Sequence, residues 1–388
     1  MASADPTPRS DPVPGETNDT SNPGIGDIEI MTDRYTNSEW AAHIAETQQK
    51  IVVKKEKYWA PGIGSKEFAE TIDHTLLKLD ATPSQIDTLC SEARTEGFKS
   101  VCVRLNYISR CVSNLKGSSV VVACVVGFHE GTQDTYSKLR EARAAVAAGA
   151  SELDIVLNHT ILTQTSTSTP KTSNHKANPS NTTTESMTAS NAAANSKSRN
   201  GASTPAEGTY SLPGSSSRLN ESNHKEDIPN YSAIYTELAT LRSLCPSPTT
   251  LKLILETSQL SPPKILAAAH LAAAANFDFI KTSTGFNGRG ATLEDIQLMV
   301  SAAEFFSTKT KNNDGSPVRP RKMQVKASGG IRSLPDAVKM LEAGATRLGT
   351  SSGLWIMQES RRVLGEKEGG NRRDGPTRLY TDDSVGGY

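Results

Sequence analysis

The sequence predicts an α/β protein, a (β/α)8 TIM barrel with a disordered N-terminal segment and a long low-complexity insertion after the fourth strand. Eight short runs of β-branched and apolar residues alternate with helical stretches, as strands joined by crossover helices do. Runs such as 120–126 are apolar throughout, which is typical of strands covered on both faces. Without its low-complexity segments, the 388-residue chain approaches the roughly 250 residues of one barrel.

The strands are predicted from these eight runs, in chain order: residues 69–74, 100–103, 120–127, 152–157, 251–256, 279–284, 324–328 and 347–350. A doubly wound open sheet is the structural alternative, because it also alternates strands and helices. Eight units and the absence of a Gly-x-Gly-x-x-Gly turn after the first strand favour the closed barrel.

Capping residues mark where the helices begin and end. Thr82-Pro83 places an N-cap before a proline at the first helical position, and Gly97 lies where that helix should end. Thr292-Leu-Glu-Asp295 is a loose capping-box match at the start of another helix. Further helices are predicted over residues 135–148, 261–275 and 333–343.

Two segments have compositions that do not support a folded core. Residues 1–36 are rich in Pro, Ser, Thr, Asp and Gly, and residues 164–226 are rich in Ser, Thr, Asn and Ala. Such segments cannot bury enough apolar area to offset their ordering entropy. A tolerated disordered loop is favoured over a lid at 164–226, because doubling a loop's length costs only about 0.6 kcal/mol. The remaining divisions are a helical extension at 37–65, the barrel domain at 66–364 and a tail at 365–388.

Composition restricts the partners and the compartment. The 42 basic and 42 acidic residues balance, which argues against nucleic acid or an anionic membrane as the main partner. The five cysteines are scattered, without a Cys-x-x-Cys pair, so a reducing compartment is expected and a zinc site is not. There is no run of about 20 apolar residues that could span a bilayer. These features predict a cytoplasmic protein.

Three charged residues interrupt predicted strands: Asp154, Lys281 and Lys326, in the fourth, sixth and seventh runs. A charge inside a strand is costly unless it is paired or faces a wet cavity. Barrel enzymes place such residues at the mouth formed by the C-terminal ends of the strands. Each charge alone is more often a salt-bridged strand end, but three on converging strands favour one common site.

This trio suits imine chemistry. A free lysine, with a pKa of about 10.4, is neutral in about 1 in 2,500 molecules at pH 7. A second ammonium about 4–5 Å away disfavours protonation by roughly 3–4 kcal/mol, or two to three pKa units. Neutral lysine attacks a carbonyl, and the iminium then accepts electrons when the neighbouring C–C bond breaks. Either lysine could be the nucleophile in principle, and Asp154 can relay protons.

Glycine-rich turns follow the last two strands, where barrels often bind phosphate. Ser328-Gly-Gly-Ile-Arg332 follows the seventh run, and Gly349-Thr-Ser-Ser-Gly353 follows the eighth. Glycines let backbone amides approach an anion, and helix N-termini favour negative charge. The two turns together predict a phosphate site.

Seven motifs in chain order resemble the deoxyribose-phosphate aldolase family, from about Lys66 to about Leu364 with one interruption. They are Asp73-His-Thr-Leu-Leu-Lys78, Ser100-Val-Cys-Val103, Glu152-Leu-Asp-Ile-Val156, Leu255-Glu-Thr257, Phe279-Ile-Lys-Thr-Ser-Thr-Gly285, Val325-Lys-Ala-Ser-Gly-Gly-Ile-Arg332 and Leu348-Gly-Thr-Ser-Ser352. The resemblance implies a lyase that reversibly cleaves 2-deoxy-D-ribose 5-phosphate to acetaldehyde and D-glyceraldehyde 3-phosphate, without a metal or organic cofactor.

The same resemblance assigns roles to individual residues. It implies that Lys281 forms the Schiff base, that Lys326 lowers its pKa and that Asp154 relays protons. Asp73 would hydrogen-bond within the site, and Cys102 would line it. The residues implied to hold the phosphate are Gly285, Gly329, Gly330, Gly349, Ser351 and Ser352, with Arg332 as a helper.

Two positions depart from the family's pattern. Phe286 stands where some members have a lysine, and the loop at 128–131 lacks the usual proline and glycine. The first departure removes one expected phosphate contact, and the second leaves an ordinary solvated loop as the simplest interpretation. His74 follows Asp73, and a structural histidine is favoured over a general base. The chain ends in Tyr388, and some family members use a mobile C-terminal tyrosine near the site.

Two other functions stay open on the sequence alone. One is an imine-forming barrel of the transaldolase type, with a dihydroxyacetone-like donor. The other is a phosphate-binding barrel without chemistry, against which the lysine pair argues, because binding alone gives no reason to hold two ammonium groups together. The expected partner is a small phosphorylated sugar, and the sequence is compatible with a homo-oligomer.

Overall fold

The computed structural model describes residues 35–163, 228–308 and 322–368. The predicted N-terminal segment up to residue 34, the predicted insertion at 164–226 and the tail from residue 369 lie outside these ranges. So does the prediction for Tyr388.

Eight parallel strands close into a barrel in which each strand pairs with its sequence neighbours and the eighth pairs with the first. They are β1 (Ile72–Thr75), β2 (Ser100–Val103), β3 (Val121–Val126), β4 (Glu152–Val156), β5 (Thr250–Ile254), β6 (Phe279–Lys281), β7 (Gln324–Ser328) and β8 (Arg347–Thr350). The predicted (β/α)8 barrel is therefore confirmed. The register sets Lys281 beside Lys326 and Asp154 beside Lys252.

Helices lie between the strands and before them. They are α1 (Asn37–Lys50), α2 (Lys66–Ala69), α3 (Pro83–Glu96), α4 (Ile108–Asn114), α5 (Thr135–Ala147), α6 (Thr160–Thr163), α7 (Tyr231–Leu244), α8 (Pro262–Ala274), α9 (Leu293–Thr308), α10 (Leu334–Glu342) and α11 (Gly353–Glu368). None of the helices in the described ranges is long and apolar enough to cross a membrane.

The predicted capping residues Thr82 and Gly97 act as expected at the two ends of α3. Thr82 forms a capping box at the start of α3, and Gly97 ends that helix in the left-handed conformation at φ 72°. At α9 only half of the predicted capping box forms. The Thr292 hydroxyl accepts from the Asp295 amide, but the Asp295 carboxylate is paired with Arg289 instead.

Five predicted strands extend beyond the observed ones, and three of them do so by two residues or more at one end. Residues 69–71 precede β1 because Ser65 caps the short helix α2 through the Phe68 amide. β5 ends at Ile254, and Glu256 follows in the left-handed region at φ 57°. β6 ends at Lys281, after which the Thr282 hydroxyl donates to the Ser328 carbonyl and accepts from the Ser328 amide. A side chain thus replaces strand hydrogen bonds at the point where the barrel opens.

The core consists of two parts. The larger part fills the space between barrel and helices, and α1 adds Trp40 and Ile44 to it by packing on α7 and α8. The smaller part lies separately and contains Leu77, Cys102, Ala123 and Val125, with Phe128 and Phe286 packed against it. We call this second part the inner apolar wall.

Candidate active site

Asp154, Lys281 and Lys326 meet in one buried cluster. The Lys281 Nζ lies 2.9 Å from Asp154 Oδ2, and the Lys326 Nζ lies 2.8 Å from the same oxygen. All three side chains are buried. The structure thus brings together the three charges that the sequence places on strands β4, β6 and β7.

Asp73 joins this cluster from β1. Its Oδ2 lies 2.5 Å from the Lys326 Nζ, while its Oδ1 accepts from the Ser100 hydroxyl at 2.7 Å and from Arg347 at 2.6 Å. Lys326 is therefore held between two carboxylates, those of Asp73 and Asp154. The next residue, His74, points elsewhere: its Nε2 lies 2.6 Å from Glu92 on α3, which fits a structural role.

Sequence reasoning missed three further members of the cluster. Lys252 contacts Glu152 at 2.6 Å and Asp154 at 2.7 Å, and Arg347 contacts Glu152 at 3.1 Å. The signal that singles out Lys281, a charge inside an apolar strand, also marks these residues. Lys252 lies beside Asp154 in the sheet, and Glu152 and Arg347 are the first residues of β4 and β8.

Among the described residues, this cluster contains three carboxylates and four basic groups: Asp73, Glu152, Asp154, Lys252, Lys281, Lys326 and Arg347. Full ionisation would leave one excess positive charge in a buried space, which is unfavourable. Lys252, Lys326 and Arg347 each contact two or more carboxylates, whereas Lys281 contacts Asp154 alone. Lys281 is therefore the group that can lose its proton at least cost.

The pKa directions agree with this charge count. Burial lowers the pKa of Lys281, and the nearby Lys326 lowers it further, against the opposing effect of Asp154. Burial also disfavours the ammonium of Lys326, but Asp154 and Asp73 outweigh it, so its pKa is raised. From the sequence, the charge of Lys326 is the predicted cause of the lowered pKa of Lys281. In the structure burial is the larger cause, because water is excluded from the lysine.

Cys102 lies in the inner apolar wall beside the cluster. Its Sγ is 4.0 Å from Asp154 Oδ2. Burial, with the negative charge of Asp154, raises the pKa of Cys102 to about 11. The thiol is therefore protonated at neutral pH.

The glycines at the mouth approach each other backbone to backbone. Gly285, Gly329 and Gly330 all have positive φ angles. A Cβ on Gly290 would lie 2.1 Å from the Gly329 carbonyl oxygen, so this position requires glycine. Sequence reasoning missed Gly290, because its constraint comes from a loop that is distant in the chain.

The remaining predicted phosphate residues occupy different settings. Gly349 lies inside β8, where a Cβ would meet the Ser328 Oγ at 2.2 Å and the Lys326 Cε at 2.9 Å. Its missing side chain gives those groups room. Ser351 is exposed and Ser352 half-buried just before α11, and the Ser352 amide already donates to the Thr350 hydroxyl. Arg332 is exposed at the mouth.

Glu256 is a further buried acid near the mouth. Its Oε2 accepts from the Thr284 hydroxyl at 2.5 Å and from the Thr284 amide at 3.3 Å. Burial raises the pKa of Glu256, with these hydrogen bonds opposing. It fixes the segment that follows Lys281 against the end of β5.

The two positions that depart from the family's pattern contact each other. The ring of His129 stacks on Phe286 at 5.0 Å between centroids, and Phe128 meets Phe286 edge-on at 5.1 Å. Asn287 also donates to the His129 carbonyl at 3.2 Å. The loop at 128–131 is therefore packed against the segment after β6, and the expectation of an ordinary solvated loop is wrong.

The closed barrel and its buried lysine cluster define this chain as an enzyme of the TIM-barrel aldolase class. Residues 236–359 match the DeoC/LacD family aldolases. The chain is 36% identical to a deoxyribose-phosphate aldolase from Coccidioides immitis, over 80% of this chain and 86% of the relative. It is 35% identical to one from Bdellovibrio bacteriovorus, over 75% and 96%.

A crystal structure of a Coccidioides immitis protein described as a deoxyribose-phosphate aldolase superposes with a TM-score of 0.62. The two share 34% identity, and the match covers 84% of this chain and 98% of that one. The chain belongs to the deoxyribose-phosphate aldolase family, and it is a lyase.

Proposed function

We propose that this enzyme reversibly cleaves 2-deoxy-D-ribose 5-phosphate to acetaldehyde and D-glyceraldehyde 3-phosphate through a Schiff base on Lys281. The observation that carries the proposal is the position of Lys281. It is a buried lysine with a single carboxylate contact among the described residues and a lowered pKa, beside the better-paired Lys326. Such a lysine is the nucleophile that imine chemistry requires.

The proposed cycle begins with attack of neutral Lys281 on the sugar aldehyde. Loss of water gives an iminium, which accepts the electron pair of the C2–C3 bond when that bond breaks. The hydroxyl at carbon 3 gives up its proton and becomes the carbonyl of glyceraldehyde 3-phosphate. Protonation of the resulting enamine at carbon 2, followed by hydrolysis, releases acetaldehyde and restores the lysine. The iminium supplies the electron sink, so the cycle needs no metal or organic cofactor.

Asp154 is the proposed proton relay. Its Oδ2 contacts both Lys281 and Lys326, so it can pass a proton between the reacting carbon chain and a charged neighbour. Asp73, Lys252 and Arg347 keep Asp154 and Lys326 in place by pairing with them or with each other. Lys326 is the charged member of the lysine pair in this proposal.

The inner apolar wall favours acetaldehyde as the donor. Leu77, Cys102, Ala123 and Val125 offer few groups that could bind a hydroxyl, and Cys102 lies next to Asp154. A methyl group suits this wall, whereas the hydroxyls of a dihydroxyacetone-type donor would lose their hydrogen bonds there. The apolar character of this wall argues against the transaldolase-like alternative.

The phosphate is proposed to bind at the mouth, on Gly285, Gly329, Gly330, Gly349, Ser351 and Ser352. The support is the close approach of the Gly285, Gly290 and Gly329 backbones and the start of α11 beside Ser352. We also propose a barrel domain at 66–364 with extensions at 37–65 and 365–388, a cytoplasmic location and a homo-oligomer.

Trapping of the imine tests the proposal. The enzyme is incubated with 2-deoxyribose 5-phosphate, reduced with borohydride, and digested for peptide mass spectrometry. We expect an adduct on Lys281 and release of glyceraldehyde 3-phosphate in a coupled assay. Lys264, a lysine on α8 outside the cluster, is the control site within the same chain. A folded enzyme that carries no adduct on Lys281 would refute the proposal.

A further inference from the structure

Two buried serine hydroxyls near the cluster have no hydrogen-bond partner within residues 35–163, 228–308 and 322–368. They belong to Ser283 and Ser328, which are 0% and 4% exposed. Buried hydroxyls normally have a partner, because burying one without compensation is unfavourable. Two of them on neighbouring segments need a physical explanation.

Each serine follows one lysine of the pair along the chain, towards the mouth of the barrel. Ser283 follows Lys281 by two residues and Ser328 follows Lys326 by two, and the two lysines are register partners. Ser328 lies on β7 with Lys326, and side chains two residues apart in a strand point to the same face. The contacts at Gly349 show this directly, because a Cβ built there would meet both the Ser328 Oγ and the Lys326 Cε.

The same serines adjoin the glycines of the mouth. Ser328 directly precedes Gly329, and Ser283 precedes Gly285 by two residues. The Ser283 Cβ is 3.6 Å from the position a Cβ on Gly329 would take. The two hydroxyls therefore lie between the lysines, where the imine forms, and the glycines, where the phosphate is proposed to bind.

We infer that Ser283 and Ser328 bind the two hydroxyls of the substrate's carbon chain, those at carbons 3 and 4. This inference rests on the proposed function. In 2-deoxyribose 5-phosphate, carbon 1 forms the imine and carbon 5 carries the phosphate, so the hydroxyls at carbons 3 and 4 lie between the two anchors. The serines lie between the same two anchors in the protein. A serine hydroxyl donates and accepts, which suits an oxygen that is a hydroxyl before cleavage and a carbonyl after it.

The neighbouring Thr282 shows what a structural hydroxyl looks like at this point of the fold. It donates to the Ser328 carbonyl at 3.0 Å and accepts from the Ser328 amide. The hydroxyls of Ser283 and Ser328 have no such bonds within the described residues. Their unpaired state in the free enzyme is what a group reserved for substrate would show.

The test compares Ser283→Ala and Ser328→Ala with the control Ser360→Ala. Ser360 is also buried, but its hydroxyl donates to the Ile356 carbonyl on α11. In each active-site variant we expect kcat/KM for cleavage to fall about tenfold, equivalent to about 1.4 kcal/mol for one hydrogen bond. We expect the melting temperature of the free enzyme to stay or rise, because an unpaired buried hydroxyl is removed. The control should lose stability and keep its activity.

Three further measurements locate the contact. Trapping of acetaldehyde on Lys281 should be unchanged in both variants, because acetaldehyde has neither hydroxyl. Acetaldehyde is also condensed with 3-oxopropyl phosphate, an acceptor without the carbon-4 hydroxyl. The rate of this reaction should be unchanged in one of the two variants, the one that lacks the serine for the carbon-4 hydroxyl. Inhibition by inorganic phosphate should keep its wild-type inhibition constant.

Several outcomes would overturn the inference. One is unchanged cleavage kinetics in both alanine variants. Another is a wild-type ratio, in both variants, of the condensation rates with glyceraldehyde 3-phosphate and with 3-oxopropyl phosphate. A third is a weakening of phosphate inhibition in parallel with the loss of cleavage. Failure of the wild-type enzyme to trap acetaldehyde on Lys281 would instead refute the Schiff-base function on which the inference rests. The two failures are thus distinguishable.

Discussion

Replacing Lys326 with methionine should move the reactive pH of Lys281 upwards. Both ammonium nitrogens contact Asp154 Oδ2, at 2.9 and 2.8 Å, so they are separated by about 5.7 Å or less. At an effective dielectric of about 20, their repulsion is about 3 kcal/mol, which corresponds to roughly two pKa units. Methionine preserves length and removes the charge, so the pKa of Lys281 should rise by about that amount.

The sign follows from the protonation state that reacts. Neutral Lys281 attacks the aldehyde, so imine formation accelerates as the pH rises through the pKa of this lysine. Raising that pKa shifts the inflection to higher pH, and well below it the rate should fall about 100-fold. The assay is the initial rate of borohydride trapping with acetaldehyde over a pH series. Lys326→Arg, which keeps the positive charge, is the matched control.

An equal fall in the trapping rate of Lys326→Met at every pH, without a shift of the inflection, would contradict this prediction. That result would give Lys326 a role in placing Asp154 and leave burial as the sole cause of the lowered pKa. A shift of the inflection in the Lys326→Arg control as large as that in Lys326→Met would also contradict the prediction, because the charge of residue 326 would then not be the cause of the shift.

Three further predictions follow from the same contacts. Lys281→Ala should abolish both the trapped adduct and the release of glyceraldehyde 3-phosphate, and either signal surviving would move the nucleophile elsewhere. Lys252→Met should lower the free energy of unfolding by about 3–5 kcal/mol in denaturant titration, because it leaves Glu152 and Asp154 short of a buried partner; the exposed Lys50→Met should change it by less than about 0.5 kcal/mol. Glu256→Gln should raise the melting temperature at pH 8 more than at pH 4, since a carboxyl whose folded pKa is raised destabilises the fold once it ionises; an equal change at both pH values would contradict this.

The sequence predicts the closed barrel and the bounds of three of its strands. The strands at 100–103, 324–328 and 347–350 have the predicted bounds, and Thr82 and Gly97 bound α3 as expected. The predicted strand bounds are wrong where a side-chain hydrogen bond competes with the backbone hydrogen bonds between strands. The Thr282 hydroxyl shortens β6, and nothing in its own segment indicates that it would bond Ser328.

The residues of the active site likewise divide into those that the sequence predicts and those that it does not. A charge inside an apolar strand is visible in the sequence, and it locates Asp154, Lys281 and Lys326. Which charges pair is not visible, because pairing depends on the register of distant strands, such as Asp154 beside Lys252. The requirement for glycine at Gly290 likewise comes from the carbonyl of Gly329 across the mouth.

The unfavourable features of the barrel interior are concentrated where the substrate is proposed to react. Lys252 and Arg347 are surrounded by carboxylates, so the side of the cluster away from Lys281 is fully paired. Lys281 is the basic group of the cluster whose pKa is lowered, and the unpaired hydroxyls belong to Ser283 and Ser328, two residues after Lys281 and Lys326. Groups left uncompensated in a packed interior lower the stability of the free enzyme, and binding can recover that loss. Lys281 must become neutral in order to react, and the two serine hydroxyls need oxygen partners, so substrate binding can recover the lost stability at both places. The lowered pKa and the unpaired hydroxyls therefore both indicate the carbon chain of the proposed substrate.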